Sequence, residues 1–102
     1  MVRVYKCQYF NLYGNFNNGY IIHNTHKPFE EGHTHLNNFD TAKYIIKLAH
    51  HKTVPKHLSI YLIDSLIRIS NDEFYIRQLN ELKQKELKLQ KRNNKNNRRR
   101  DK

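Results

Sequence analysis

The sequence predicts a small α+β domain. An N-terminal β-hairpin, with room for a short third strand, is followed by three helices, and the last helix extends into a basic disordered tail. Three observations point to this order. The segment from Val2 to His23 is rich in β-branched and aromatic types and contains an Asn-Gly pair. From Ala42 onward apolar residues recur at helical spacing, and after Leu89 there are none. Residues 1–90 are therefore expected to form one ββααα domain and residues 91–102 a flexible tail. A chain of 102 residues leaves no room for a second core.

Residues 2–10, Val-Arg-Val-Tyr-Lys-Cys-Gln-Tyr-Phe, read as the first strand. Simple alternation puts Val2, Val4 and Phe10 on one face and Tyr5, Cys7 and Tyr9 on the other. Asn18-Gly19 marks a two-residue hairpin, because both residue types tolerate positive φ. Tyr13-Gly14-Asn15 offers a competing turn. Tyr20 to His23 is the returning strand, residues 24–38 a loop, and His33 to Leu36 the short extra strand.

Ala42, Ile45, Ile46 and Ala49 make one apolar helical stripe, capped by Asn38 or Asp40 and ending near His50-His51. Thr53 as cap and Pro55 in the first turn are expected to start a second helix. Its Leu58, Ile60, Tyr61, Leu62, Ile63, Leu66, Ile67 and Ile69 fall nearly all round, which predicts a buried central helix. Asp64 and Arg68 are placed to pair at i, i+4. Ser70-Asn71-Asp72-Glu73 reads as a capping box that starts the third helix. That helix is apolar at Phe74, Tyr75, Ile76, Leu79 and Leu82, then thins to Leu87 and Leu89 among lysines.

Charge is unevenly placed. The formal net charge is +10. Within the segment 83–102, Lys83, Lys85, Lys88, Lys91, Arg92, Lys95, Arg98, Arg99, Arg100 and Lys102 face only Glu86 and Asp101. The segment 1–82 is nearly neutral. An end without apolar residues cannot build a core, and such basic blocks commonly meet a polyanion, where each phosphate contact releases counterions. A membrane is disfavoured, since the tail has no apolar face to insert and no apolar run approaches the ~20 residues of a span. One cysteine, Cys7, excludes an internal disulfide and a cysteine zinc finger. With no apolar leader at the N-terminus, a cytoplasmic, intracellular setting is expected.

The N-terminal aromatics suggest a secondary surface: Arg3 and Lys6 beside Tyr5 and Tyr9, where exposed rings could stack on unpaired bases. The Arg-Gly-Phe signature of an RNA-recognition motif is absent. A helix-turn-helix reading of helices two and three is disfavoured, because the turn lacks glycine and the second helix opens on Asp72 and Glu73, which phosphate repels.

His23, His26, His33 and His35 cluster closely, and His50, His51 and His57 follow. Imidazoles are good zinc ligands, but no cysteine or carboxylate joins these at a diagnostic spacing, so no metal and no cofactor are expected. Gly32-His33-Thr34-His35 is similar to the last metal-binding motif of calcineurin-like phosphoesterases. Their Asp-x-His, Gly-Asp and Gly-Asn-His elements have no counterpart here, so no functional residue is carried across. Cys7 lies in a strand, no serine sits in a Gly-x-Ser-x-Gly turn, and Gly14, Gly19 and Gly32 are isolated, so no catalytic residues are assigned.

The leading expectation is a non-enzymatic nucleic-acid-associated protein whose third helix and tail grip phosphate, with RNA ahead of DNA. The alternative is a small interaction or inhibitor protein docking on a larger nucleoprotein complex. A phage or mobile-element factor, or a ribosome-type subunit, would fit it, and the many Asn, Lys, Ile and Tyr residues suit an AT-rich genome. A histidine-metal hydrolase is the second alternative.

Overall fold

The computed structural model describes residues 2–15 and 19–100, with side chains at 2–14 and 19–91. The order is β1 (Val2–Cys7), β2 (Phe10–Asn15), β3 (Gly19–Asn24), β4 (His33–Leu36), α1 (Phe39–His51), α2 (Ile60–Arg68) and α3 (Glu73–Arg100). The strands form an antiparallel meander in sequence order, and the helices lie on one face of it. The fold is α+β, with four strands where the sequence suggested two or three.

The extra strand comes from residues 2–10, which are not one strand. Gln8 has φ +55° and turns the chain sharply, so that Cys7 pairs with Phe10. Nothing in Cys-Gln-Tyr-Phe announces a turn, because glycine is the residue that adopts this backbone freely. The expected facing also changes. A bulge between Arg3 and Tyr5 resets the alternation, so Tyr5 and Cys7 pack at the edge of the core beside Phe10 and Leu12. Val2 and Val4 are left exposed.

Tyr13-Gly14-Asn15 does not turn; it completes β2. A Cβ at Gly14 would sit 3.2 Å from Val4 Cγ1, so the glycine serves close strand packing. A hairpin does form here, but Gly19 opens β3 rather than sitting in a two-residue Asn18-Gly19 turn. Asn15 pairs with Gly19, and Gly19 has φ +84°. Asn18 lies outside the described residues. β4 occupies the expected His33–Leu36 and pairs with Tyr20–His23.

Period-two alternation sends Phe10, Leu12, Ile22 and Leu36 from the sheet into the core. They meet Ala42, Ile45, Ile46 and Ala49 of α1. Asn38 caps α1, its side chain accepting from the Thr41 backbone N–H at 3.0 Å, and Lys52 closes the helix in the left-handed conformation.

α2 starts later than Thr53 and Pro55 suggested. Its cap is Ser59, and residues 53–58 run as a linker. Nor is it buried all round. Ile63, Ser65 and Leu66 are buried between β4, α1 and α3, Leu62 and Ile67 are half-buried, and Tyr61 is 58% exposed. Asp64 and Arg68 do not pair with each other. Asp64 meets Lys83 of α3 at 2.8 Å, while Arg68 donates to the His33 and Glu30 carbonyls at 2.9 and 3.2 Å. Each of the two side chains instead reaches a partner on another element.

Asn24 ties the layers together. It is fully buried, donates to the Ile69 carbonyl at 2.8 Å and accepts from the His26 backbone N–H at 2.8 Å. Thr34 donates to Ser65 in a second buried link from β4 to α2.

The residue that caps α3 is Asp72, accepting from the Tyr75 N–H at 2.8 Å. Ser70, proposed as the cap, instead donates back to the Leu66 carbonyl. The Tyr75 N–H, and next Lys52 at 3.2 Å, hold the Asp72 carboxyl below its usual range. Its folded pKa thus lies below the unfolded one. The stabilisation is present at neutral pH and is lost as pH falls through the folded value. Asp72→Asn, which keeps a capping oxygen, is expected to flatten the loss of melting temperature below about pH 4. Thermal melts from neutral to acid pH would show it.

Tyr75 is almost fully buried, and its hydroxyl lies 3.1 Å from the Leu48 carbonyl and 2.8 Å from that of Thr53. Burial, with a smaller contribution from Tyr44, raises its pKa above the usual phenol range. This contact anchors α3 to the end of α1 and to the linker. Tyr75→Phe leaves those carbonyls without the hydroxyl and is expected to cost about 1–3 kcal/mol in denaturant unfolding.

Candidate nucleic-acid interface

The C-terminal half of α3 is positioned by its N-terminal half. Tyr75, Leu79 and Leu82 are buried, Leu87 is half-buried, and Leu89 is 37% exposed. With a rise of about 1.5 Å per residue the helix is about 42 Å long, so its basic end projects away from the packed layers.

Of the ten expected phosphate-binding cations, Lys83, Lys85, Lys88 and Lys91 have described side chains. Lys83 is held by Asp64 and is less available than its neighbours. Lys85, Lys88 and Lys91 are exposed and make no ion pair among the described residues. The side chains of Arg92, Lys95, Arg98, Arg99, Arg100 and Lys102 lie outside the described residues, while the backbone of the expected tail continues α3 as far as Arg100.

Lys85 and Lys88 border a groove of about 490 Å³ between α3 and the α1–α2 linker, floored by Val54, Pro55 and Leu82. Lys56 of the linker joins them there. Sequence reasoning missed Lys56 because it was assigned to a helix that in fact starts only at Ile60. Glu81 also lines this groove, and Glu86 is drawn to His57 at 3.1 Å.

The expected secondary surface is not one surface. Arg3 and Lys6 pair with Tyr13 and Asn11 and so share the helix-free face of the sheet. Tyr5 lies on the opposite face, its ring 5.2 Å from Lys43 Nζ, in a groove of about 480 Å³ with Cys7, Tyr44, Lys47, His50 and His51, and with Asp40. Tyr9 sits in the β1–β2 turn and stacks on His26, ring centres 4.1 Å apart. The bulge separates Arg3 from Tyr5, strand alternation separates Lys6 from Tyr5, and the turn at Gln8 removes Tyr9 from the strand.

The histidines are spread over sheet, loops and the end of α1. His23 bonds the Lys27 carbonyl at 3.0 Å, and His33 stacks on Phe29 at 4.2 Å and bonds that residue's carbonyl. Among the described residues no group of three or more His, Cys, Asp or Glu side chains could hold a metal ion. Among them, too, no helix is long and apolar enough to cross a membrane. In comparison with known proteins the chain matches no family model, no curated protein and no solved structure.

Proposed function

We propose that this protein is a non-enzymatic nucleic-acid-associated protein in which α3 and the basic C-terminal end grip the phosphate backbone, RNA ahead of DNA. The segregation of charge carries this reading. Ten bases and two acids occupy the segment 83–102, on and beyond the part of α3 that leaves the core. In the body of the domain Lys52 is paired with Asp72, while Lys27 and Arg68 bind backbone carbonyls. The other cations of the body are spread along the chain, whereas those of the C-terminal end are closely spaced, which favours counterion release on phosphate there.

A second reading, a docking protein for a larger nucleoprotein complex, draws support from the exposed rings of Phe74 (67%) and Tyr61 (58%). Capture with immobilised full-length protein separates the two. Nucleic acid is expected to co-purify, with a raised ratio of nucleic-acid to protein ultraviolet absorbance, and nuclease is expected to release whatever proteins accompany it. Proteins retained undiminished after nuclease, with no nucleic acid bound, would favour the docking reading.

A further inference from the structure

We infer that the helix-free face of the sheet is a second nucleic-acid contact, a platform for unpaired bases. It rests on the reading that the partner is nucleic acid, and it places a base-stacking surface on the sheet, apart from the cationic end of α3.

The register defines the surface. Because α1 and α2 take the face bearing Leu12 and Ile22, the opposite face carries two rows across all four strands. One row runs Arg3, Tyr13, Ile21, His35; the other runs Lys6, Asn11, His23, His33. Neither row contains a carboxylate. Both place a cation on the edge strand β1 and an imidazole on the edge strand β4.

This arrangement fits a single strand laid across the sheet. Arg3 and Lys6 are exposed and suit phosphate; the half-buried Tyr13 and the exposed His35, on either side of the buried Ile21, suit stacking, which is tolerant of sequence because every base has a π-face. His33 and His23 are already occupied by Phe29, which closes the far end of the second row. Asn11 donates to the Tyr13 hydroxyl at 3.2 Å, fixing that ring, while its own Oδ1 is buried without a partner among the described residues. A duplex is a poor occupant, since its bases are already stacked. A protein strand would pair with the sheet's edge rather than lie on its face.

The test is photo-crosslinking of full-length protein to a short single-stranded oligouridylate carrying 5-iodouridine, with peptides mapped by mass spectrometry. Crosslinks are expected at Tyr13 or His35, and they should persist in a chain ending at Gln90. Tyr13→Ala is expected to weaken oligonucleotide binding at least about five-fold, and Tyr13→Phe to restore it. Arg3→Gln with Lys6→Gln, changes on an exposed edge that spare the core, should weaken binding with unchanged melting temperature. Oligonucleotide that binds but crosslinks only to helical residues, with affinity unmoved by these variants, would overturn the platform and leave the role of α3 standing. Failure of the full chain to bind RNA or DNA at all would overturn both.

Discussion

Leu66→Ala is expected to cost about 2–5 kcal/mol of stability. Leu66 has no exposed surface, and it sits where α2 meets the rest of the core. Truncating it removes the transfer energy of the side chain and leaves a cavity in the cluster it shares with Ile63 and Leu79. Small domains are worth about 5–15 kcal/mol in total, so the variant should show a much lower denaturant midpoint or fail to fold at physiological temperature. Leu62→Ala, one turn earlier and half-buried, should cost distinctly less. Equal costs at the two positions would mean that α2 is covered on both sides, as by a partner on its Tyr61 face.

This contrast was not visible in the chain alone. The apolar residues of 58–69 fall nearly all round a helix, and only the sheet's position decides which of them it covers. The α1 stripe, by contrast, was legible except for Leu48, because Ala42, Ile45, Ile46 and Ala49 form a single narrow face. Likewise β4 was legible from His33 to Leu36, and the existence of the β2–β3 hairpin, though not its register, from Gly19, whose φ of +84° only glycine takes at ease. The missed β1–β2 hairpin turns on Gln8, a residue with no special preference for its backbone conformation. The cap of α3 was misplaced because Ser70 and Asp72 are both good caps. Geometry chose Asp72 and left Ser70 bonded to the turn before it.

The candidate site was legible where it depends on composition and hidden where it depends on register. A charge block survives any folding of the chain, so the cations of 83–102 could be named from their order alone. The exception is Lys83, which Asp64 captures from the neighbouring helix α2. The sheet surface depends on a bulge and a tight turn, and each moves side chains from one face to the other. Arg3 and Lys6 were correctly grouped, but Tyr13, read as part of a turn, and His35, read among candidate metal ligands, are the rings that share their face.

The basic end carries the central claim. The segment 91–102 holds seven bases and one acid, and among the described residues the last buried side chain is Leu82. Removing that segment takes no described apolar surface from the core, so the melting temperature should hardly change. Binding to nucleic acid should weaken sharply, with little change in sequence preference, because phosphate contacts position a protein without reading bases. The most direct measurement is fluorescence anisotropy of RNA and DNA binding across a salt series, for the full chain and for a chain ending at Gln90. If about five cations touch phosphate, log K should fall with log salt at a slope of about −3.5 to −4.5 for the full chain, and the truncated chain should show a clearly flatter slope. A truncated chain that binds with the full affinity and the full slope would contradict the assignment of the basic end.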